Sequence, residues 1–190
     1  LSKQTMSNNT QKKIALFGHS PHLGGAESAF INLVKLVKAL GHEPIVFLPE
    51  SKKSKLSYFF KTMHLTVHSF ERHSIYGNTS NALLDLSNRN FDKLVVALES
   101  HSCHLVISNS STFLEGALVA ERLGLPHIWS IHEVQEKNPE QPRGGLAAGS
   151  FANWFAALSD HQIFCSFATR DAHILNSPVQ PKTTVLAPFL

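Results

Sequence analysis

The stretch Lys13-Ile14-Ala15-Leu16-Phe17-Gly18, followed after a short loop by residues 25–40 and then by Glu43-Pro44-Ile45-Val46-Phe47-Leu48, decides the fold. The first run is short, apolar and closed by glycine, the pattern of a strand buried on both faces of a parallel sheet. Beyond it, apolar residues fall at Ala26, Ala29, Phe30, Leu33, Val34, Val37 and Leu40, the spacing of a helix with one buried stripe. Gly41 stands where such a helix is capped. Residues 43–48 form a second strand that closes at Pro49-Glu50. Strand, helix and strand at these distances make a right-handed crossover unit.

The same alternation runs on in both directions. Helices are predicted at 52–63, 81–86, 91–98, 113–123, 146–158 and 168–175, and strands at 65–68, 104–108, 127–132, 162–165 and 183–186. Gly124 caps the helix over 113–123, with Pro126 just beyond it. Residues 135–145 hold prolines and glycines among polar residues and read as a loop. The expected architecture is one doubly wound α/β domain, a mostly parallel Rossmann-like sheet of six or seven strands with helices on both faces. It occupies 13–190, behind an unstructured or cloning-derived tail at 1–12.

Composition narrows the function classes. Of 190 residues, 43% are hydrophobic and 16% charged, which fits a filled core and excludes a disordered chain. A net charge of +3 is too mild for a dedicated nucleic-acid binder. Cys103 and Cys165 make neither a metal spacing nor a disulfide framework, so reduced thiols are expected. No apolar run is long enough to span a bilayer, and a cytoplasmic protein is expected. Residues 52–61 mix lysines with aromatics. An ordinary packed helix with a solvated lysine face is the favoured reading, and an interfacial helix meeting anionic lipid at the inner face of the membrane the alternative.

Ligand chemistry in such a fold sits at the carboxyl ends of the strands. Three loops there carry Gly18-His19-Ser20-Pro21-His22-Leu23-Gly24-Gly25-Ala26-Glu27, Ser108-Asn109-Ser110-Ser111 and His132-Glu133. Gly24 and Gly25 precede a helix, so backbone N–H groups and the helix dipole face an incoming anion without obstruction by Cβ. Glu27, in the first turn, either satisfies free N–H groups or meets a ligand hydroxyl. Neither the dinucleotide fingerprint nor the P-loop lysine is present, and Ser20 fails the nucleophile-elbow pattern. Of the 12 histidines, His19 and His22 lie on a loop, and His101 and His104 flank Cys103 without tight grouping, so no metal is expected.

The run Gly24-Gly25-Ala26-Glu27, followed by Asn32-Leu33-Val34 and by Ala39-Leu40-Gly41-His42-Glu43, resembles the N-terminal signature of glycosyltransferase family 4. Further segments are similar to that family in order: His104 to Asn109, Gly124 to Glu133, Asp160 to Thr169 and Thr184 to Phe189. Ala187-Pro188-Phe189 departs from the family by lacking its Asn-Gly. The resemblance implies the N-terminal, acceptor-side half of a two-domain GT-B enzyme, with the donor-binding C-terminal domain absent. It implies transfer of a sugar from a nucleotide sugar to an acceptor hydroxyl on a glycan, lipid or small molecule, with retention of configuration and no metal. This half alone is expected to be inactive.

By the same resemblance Gly24 and Gly25 approach the donor's diphosphate or sugar. His132, the candidate catalytic residue, contacts the transferred sugar or the acceptor. His22, Ser108 and Asn109 line the acceptor pocket, and Glu27 and Glu133, which open onto the same crevice, are further acceptor-binding candidates. The competing reading is a non-catalytic Rossmann-like module that binds a sugar, a nucleotide or a protein partner.

Overall fold

A computed structural model describes residues 10–72, 89–134, 148–174 and 182–186. Seven strands are present there: β1 (Lys13–Gly18), β2 (Glu43–Pro49), β3 (Thr66–Phe70), β4 (Leu105–Asn109), β5 (His127–Ile131), β6 (His161–Phe164) and β7 (Thr183–Val185). They form one sheet in the order β3-β2-β1-β4-β5-β6-β7, and every pairing is parallel. The helices are α1 (Gly25–Ala39), α2 (Lys55–Thr62), α3 (Arg89–His101), α4 (Glu115–Leu123), α5 (Ala148–Ala157) and α6 (Phe167–Ile174). The chain winds outward from β1 in one direction and from β4 in the other, so their carboxyl ends flank the point where the winding reverses.

Successive side chains of a strand point to opposite faces, and the β1 run is apolar throughout because both faces are covered. Ile14, Leu16, Val46 and Leu48 pack under Phe30, Val34 and Val37 of α1 and Leu56 and Phe60 of α2. On the other face Ala15, Phe17, Ile45 and Phe47 meet Leu94 and Leu98 of α3 and Val119 and Ala120 of α4. Trp129, Ile131 and Phe164 continue that second layer toward Phe155 of α5. The α1 stripe ends at a Leu40 cap and Gly41, at φ 81°, and α4 ends at Gly124, at φ 62°. Both glycines hold a left-handed turn that L side chains resist.

Several boundaries move for local reasons. The helix predicted over 52–63 starts at Lys55, because Ser54 Oγ accepts the Ser57 N–H at 3.0 Å and caps it. The same hydroxyl donates to the Pro21 carbonyl at 3.1 Å, tying α2 to the loop after β1. Leu56 and Phe60 are buried while Tyr58 is 73% exposed, which matches the packed-helix reading of this segment. The strand predicted at 104–108 ends one residue later, with Asn109 paired to Gly18. The helix predicted over 81–86, the loop over 135–145 and most of the N-terminal tail lie outside the described residues.

Gly116, inside α4, is a position where shape outweighs helix propensity. A Cβ there would collide with the Ser108 hydroxyl and lie 3.1 Å from Phe17 Cγ. Alanine gains about 1 kcal/mol of helix propensity over glycine, whereas overpacking a filled core costs about 1–3 kcal/mol. Gly116→Ala is therefore expected to lower the urea midpoint. An unchanged or raised midpoint would show that α4 can move off the sheet without penalty.

Candidate functional site

The crevice is assembled from the carboxyl ends of β1, β4 and β5 and the first turn of α1. Gly24, in extended conformation, supplies no side-chain cap to α1. Glu27 folds back over it instead: a Cβ on Gly24 would sit 2.6 Å from Glu27 Oε2, while nothing crowds Gly25. A carboxylate in the first turn complements the helix dipole. Its other oxygen, Oε1, lies 3.1 Å from His19 Nε2. The helix terminus expected to face a ligand anion thus already carries one negative side chain, and Gly25 is its open approach.

His19 follows β1 directly. Burial lowers its pKa, an effect that the nearby Glu27 and Glu133 carboxylates oppose and Arg72 reinforces. Among the described residues its Nδ1 is buried without a hydrogen-bond partner. Arg72, just beyond β3, donates to the His19 carbonyl at 2.6 Å and brings a cation to the rim. Sequence reading missed Arg72 altogether and weighed His19 only as a metal ligand. The available signal was position, since both follow a strand's carboxyl end.

His132 sits at the centre. Its Nε2 lies 2.9 Å from Asn109 Oδ1 and 3.1 Å from Ser130 Oγ. Burial lowers its pKa and so favours the neutral ring; Glu133 and Glu27 pull the other way, and His19 adds to the lowering. Asn109 is 1% exposed, and its Nδ2 donates to the Ala26 carbonyl at 3.1 Å. Its amide is thus committed to protein partners on both sides. Glu133 Oε2 accepts from the Ser111 N–H at 3.1 Å and the Ser111 hydroxyl at 3.0 Å. Burial pushes the Glu133 carboxyl up, but hydrogen bonds from Ser110 and Ser111, with His132 nearby, outweigh it and hold the group below its usual range.

Ser108 is not brought to the crevice. It is fully buried beneath α4, with its Oγ 2.9 Å from His127 Nε2. His22 is exposed on the loop after β1, with its N–H bonded to Ser20 Oγ at 3.1 Å. The fold therefore gathers Gly24, Gly25, Glu27, Asn109, His132 and Glu133 and leaves Ser108 on the far side of the sheet. Beside them runs an open apolar groove of about 360 Å³ between α1 and the ends of β5 to β7, walled by Ala29, Leu33, Ser130, His132, Ile163 and Cys165. Among the described residues, no three His, Cys, Asp or Glu side chains are grouped to hold a metal ion, and no helix is long and apolar enough to cross a membrane.

A doubly wound parallel sheet with its crevice at the reversal of winding defines a Rossmann-like domain of the GT-B type. The chain belongs to glycosyltransferase family 4, whose model matches residues 23–189. Its fold is similar to that of HepE from Anabaena in complex with UDP and glucose, with a TM-score of 0.68 and 19% identity over 95% of this chain and 45% of that one. MurG from Acinetobacter baumannii is similar at a TM-score of 0.61 and 10% identity, over 94% of this chain and 46% of MurG. A sucrose-phosphate synthase chain from Thermosynechococcus elongatus is similar at 0.54 and 12% identity, over 94% of this chain and 90% of that one. The chain thus spans less than half the length of the HepE and MurG chains. No curated protein sequence matches it.

Proposed function

We propose that this chain is the acceptor-side half of a retaining glycosyltransferase that moves a sugar from a nucleotide sugar to an acceptor hydroxyl. The observation that carries the reading is the hydrogen-bonded array Ala26–Asn109–His132 beside the open N-terminus of α1, at the switch point of the sheet. In this reading the donor's phosphates approach Gly25 and the α1 terminus, and its sugar lies against His132. His22 and the exposed loop around it meet the acceptor. A second α/β domain supplies the cations that stabilise the departing diphosphate, without a metal, and the half described here does not turn over alone. The retaining course and the second domain rest on the family resemblance, and HepE, bound to UDP and glucose, supports a nucleotide sugar as donor. In this reading the enzyme works in the cytoplasm, and Lys52, Lys53, Lys55 and Lys61 form the solvated face beside the packed α2.

The test compares this chain with a longer product carrying a second α/β domain, using UDP-glucose and other nucleotide sugars in calorimetry and transfer assays. The long form is expected to transfer or hydrolyse the sugar, and this chain to bind donor no tighter than about millimolar, near 4 kcal/mol. His132→Ala in the long form is expected to lower kcat/KM by about tenfold or more, the loss of one hydrogen bond to the sugar. Tight binding of a sugar or nucleotide by this chain alone, with no turnover in any longer form, would favour the binding-module reading.

A further inference from the structure

Asn109 closes β4 with both ends of its amide engaged. One end faces the Ala26 carbonyl at 3.1 Å and the other faces His132 Nε2 at 2.9 Å. A carbonyl oxygen only accepts, so the Asn109 nitrogen must point at Ala26. The Asn109 oxygen then points at His132, and because it too only accepts, Nε2 must carry the proton. A neutral imidazole has one proton, which leaves Nδ1 as a lone pair. Among the described residues His132 Nδ1 has no partner, and it is not sealed from solvent as His19 Nδ1 is. Ser130 Oγ, at 3.1 Å from the same Nε2, accepts a share of that proton.

We propose that Asn109 is a positioning residue: anchored by the first turn of α1, it holds His132 in the Nε2–H tautomer and turns Nδ1 outward as an acceptor for a ligand hydroxyl. The consequence is selectivity within the crevice. An Nδ1 lone pair receives a hydrogen bond from a sugar hydroxyl and repels a phosphate oxygen, which has no proton to give. His19 differs: its Nε2 faces the Glu27 carboxylate at 3.1 Å, and its Nδ1 is buried away from any ligand. The His132 ring therefore calls for a hydroxyl donor, which fits the sugar at this end of the crevice and the phosphates at the Gly25 end. The sugar assignment rests on the reading under Proposed function; the tautomer does not.

The test is a long-range ¹H–¹⁵N correlation on histidine-labelled chain near neutral pH, which distinguishes the two tautomers and the charged ring by nitrogen shift. The wild type is expected to show His132 as Nε2–H, and an Nδ1–H or charged ring would overturn the proposal. Asn109→Leu is expected to release the ring into a mixture of tautomers. If it stays Nε2–H, Ser130 sets the tautomer and the proposal fails. Asn109→Asp, which keeps an acceptor, is expected to retain Nε2–H while its added negative charge raises the His132 titration. That titration also feels Glu133, Glu27 and His19, with Cys165 Sγ against the His132 carbonyl at 3.6 Å. Should Asn109→Leu fail to fold, the wild-type tautomer and the Asn109→Asp titration decide. In the longer form Asn109→Leu is expected to weaken nucleotide-sugar binding up to about tenfold and to weaken free UDP binding by less. The expected tautomer in a protein that binds no nucleotide sugar would leave the positioning role standing and sink only the transferase reading.

Discussion

Trp129→Ala is expected to cost about 3–5 kcal/mol of folding stability, the range for deleting a large buried aromatic side chain. Trp129 is fully buried on β5 and meets the Phe155 ring edge-on, with centroids 4.4 Å apart at 90°. The His127 ring lies against it at 5.0 Å. Its indole N–H donates to the Ser110 carbonyl at 2.8 Å. Ser110 holds φ 94°, a left-handed conformation that a serine keeps only where its surroundings insist on it. Alanine would leave a cavity among Leu114, Ile131, Phe155 and Phe164 and free Ser110 to relax.

The damage should reach the crevice, because Ser110 and Ser111 hold the Glu133 carboxylate next to His132. In a chain of this size each kcal/mol shifts Tm by about 2–4 °C, so a drop of about 10 °C is expected by calorimetry. Trp129→Phe keeps most of the volume but leaves the Ser110 carbonyl unpaired, at a cost of about 1–3 kcal/mol. If alanine costs under about 1 kcal/mol, Trp129 does not anchor this layer.

His127 sets the acid limit of stability. Its Nδ1 donates to the Leu158 carbonyl at 2.6 Å, and its Nε2 accepts from the Ser108 hydroxyl at 2.9 Å. Burial pushes its pKa down to about 4, although Leu158 and Asp160 both favour the charged ring. As pH falls the unfolded chain takes this proton first, near the ordinary imidazole value of 6.5, and the folded chain only near 4. The contribution is therefore complete above pH 6.5 and lost progressively toward 4, by about 3 kcal/mol at most. His19, His68 and His132, also lowered by burial, act in the same direction. Glu133, lowered by its hydrogen bonds, adds a loss below about 4.5 as it is protonated. Urea midpoints at pH 7.5, 5.5 and 4.5 should fall steeply in the wild type. His127→Gln should start lower at pH 7.5 and fall less. Parallel curves for the two proteins would mean that His127 does not carry the transition.

Much of the fold was legible because its signals are local. The glycine ends of β1 and α4, the stripe Phe30, Val34 and Val37, and the strand runs of β2 and β4 each report a period of the chain itself. Boundaries shifted where a tertiary contact intervened, as where Ser54 caps α2 and reaches Pro21. The candidate site was legible as a set of three loops, because in an all-parallel sheet every strand's carboxyl end lies on one edge.

Local periodicity was enough to set the order of elements, the parallel sheet and the edge on which the candidate loops gather. Which residues of that edge face the crevice depends on long-range packing. Ser108 and Asn109 are neighbours of one strand, equally polar and equally buried, yet the first turns under α4 to His127 and the second toward α1 and His132. Adjacent strand residues must take opposite faces, but which face belongs to which helix follows from the pairing of β4 between β1 and β5. Arg72 came to the crevice in the same way, meeting a carbonyl 53 residues earlier in the chain. No period or motif of the sequence records a contact of that span.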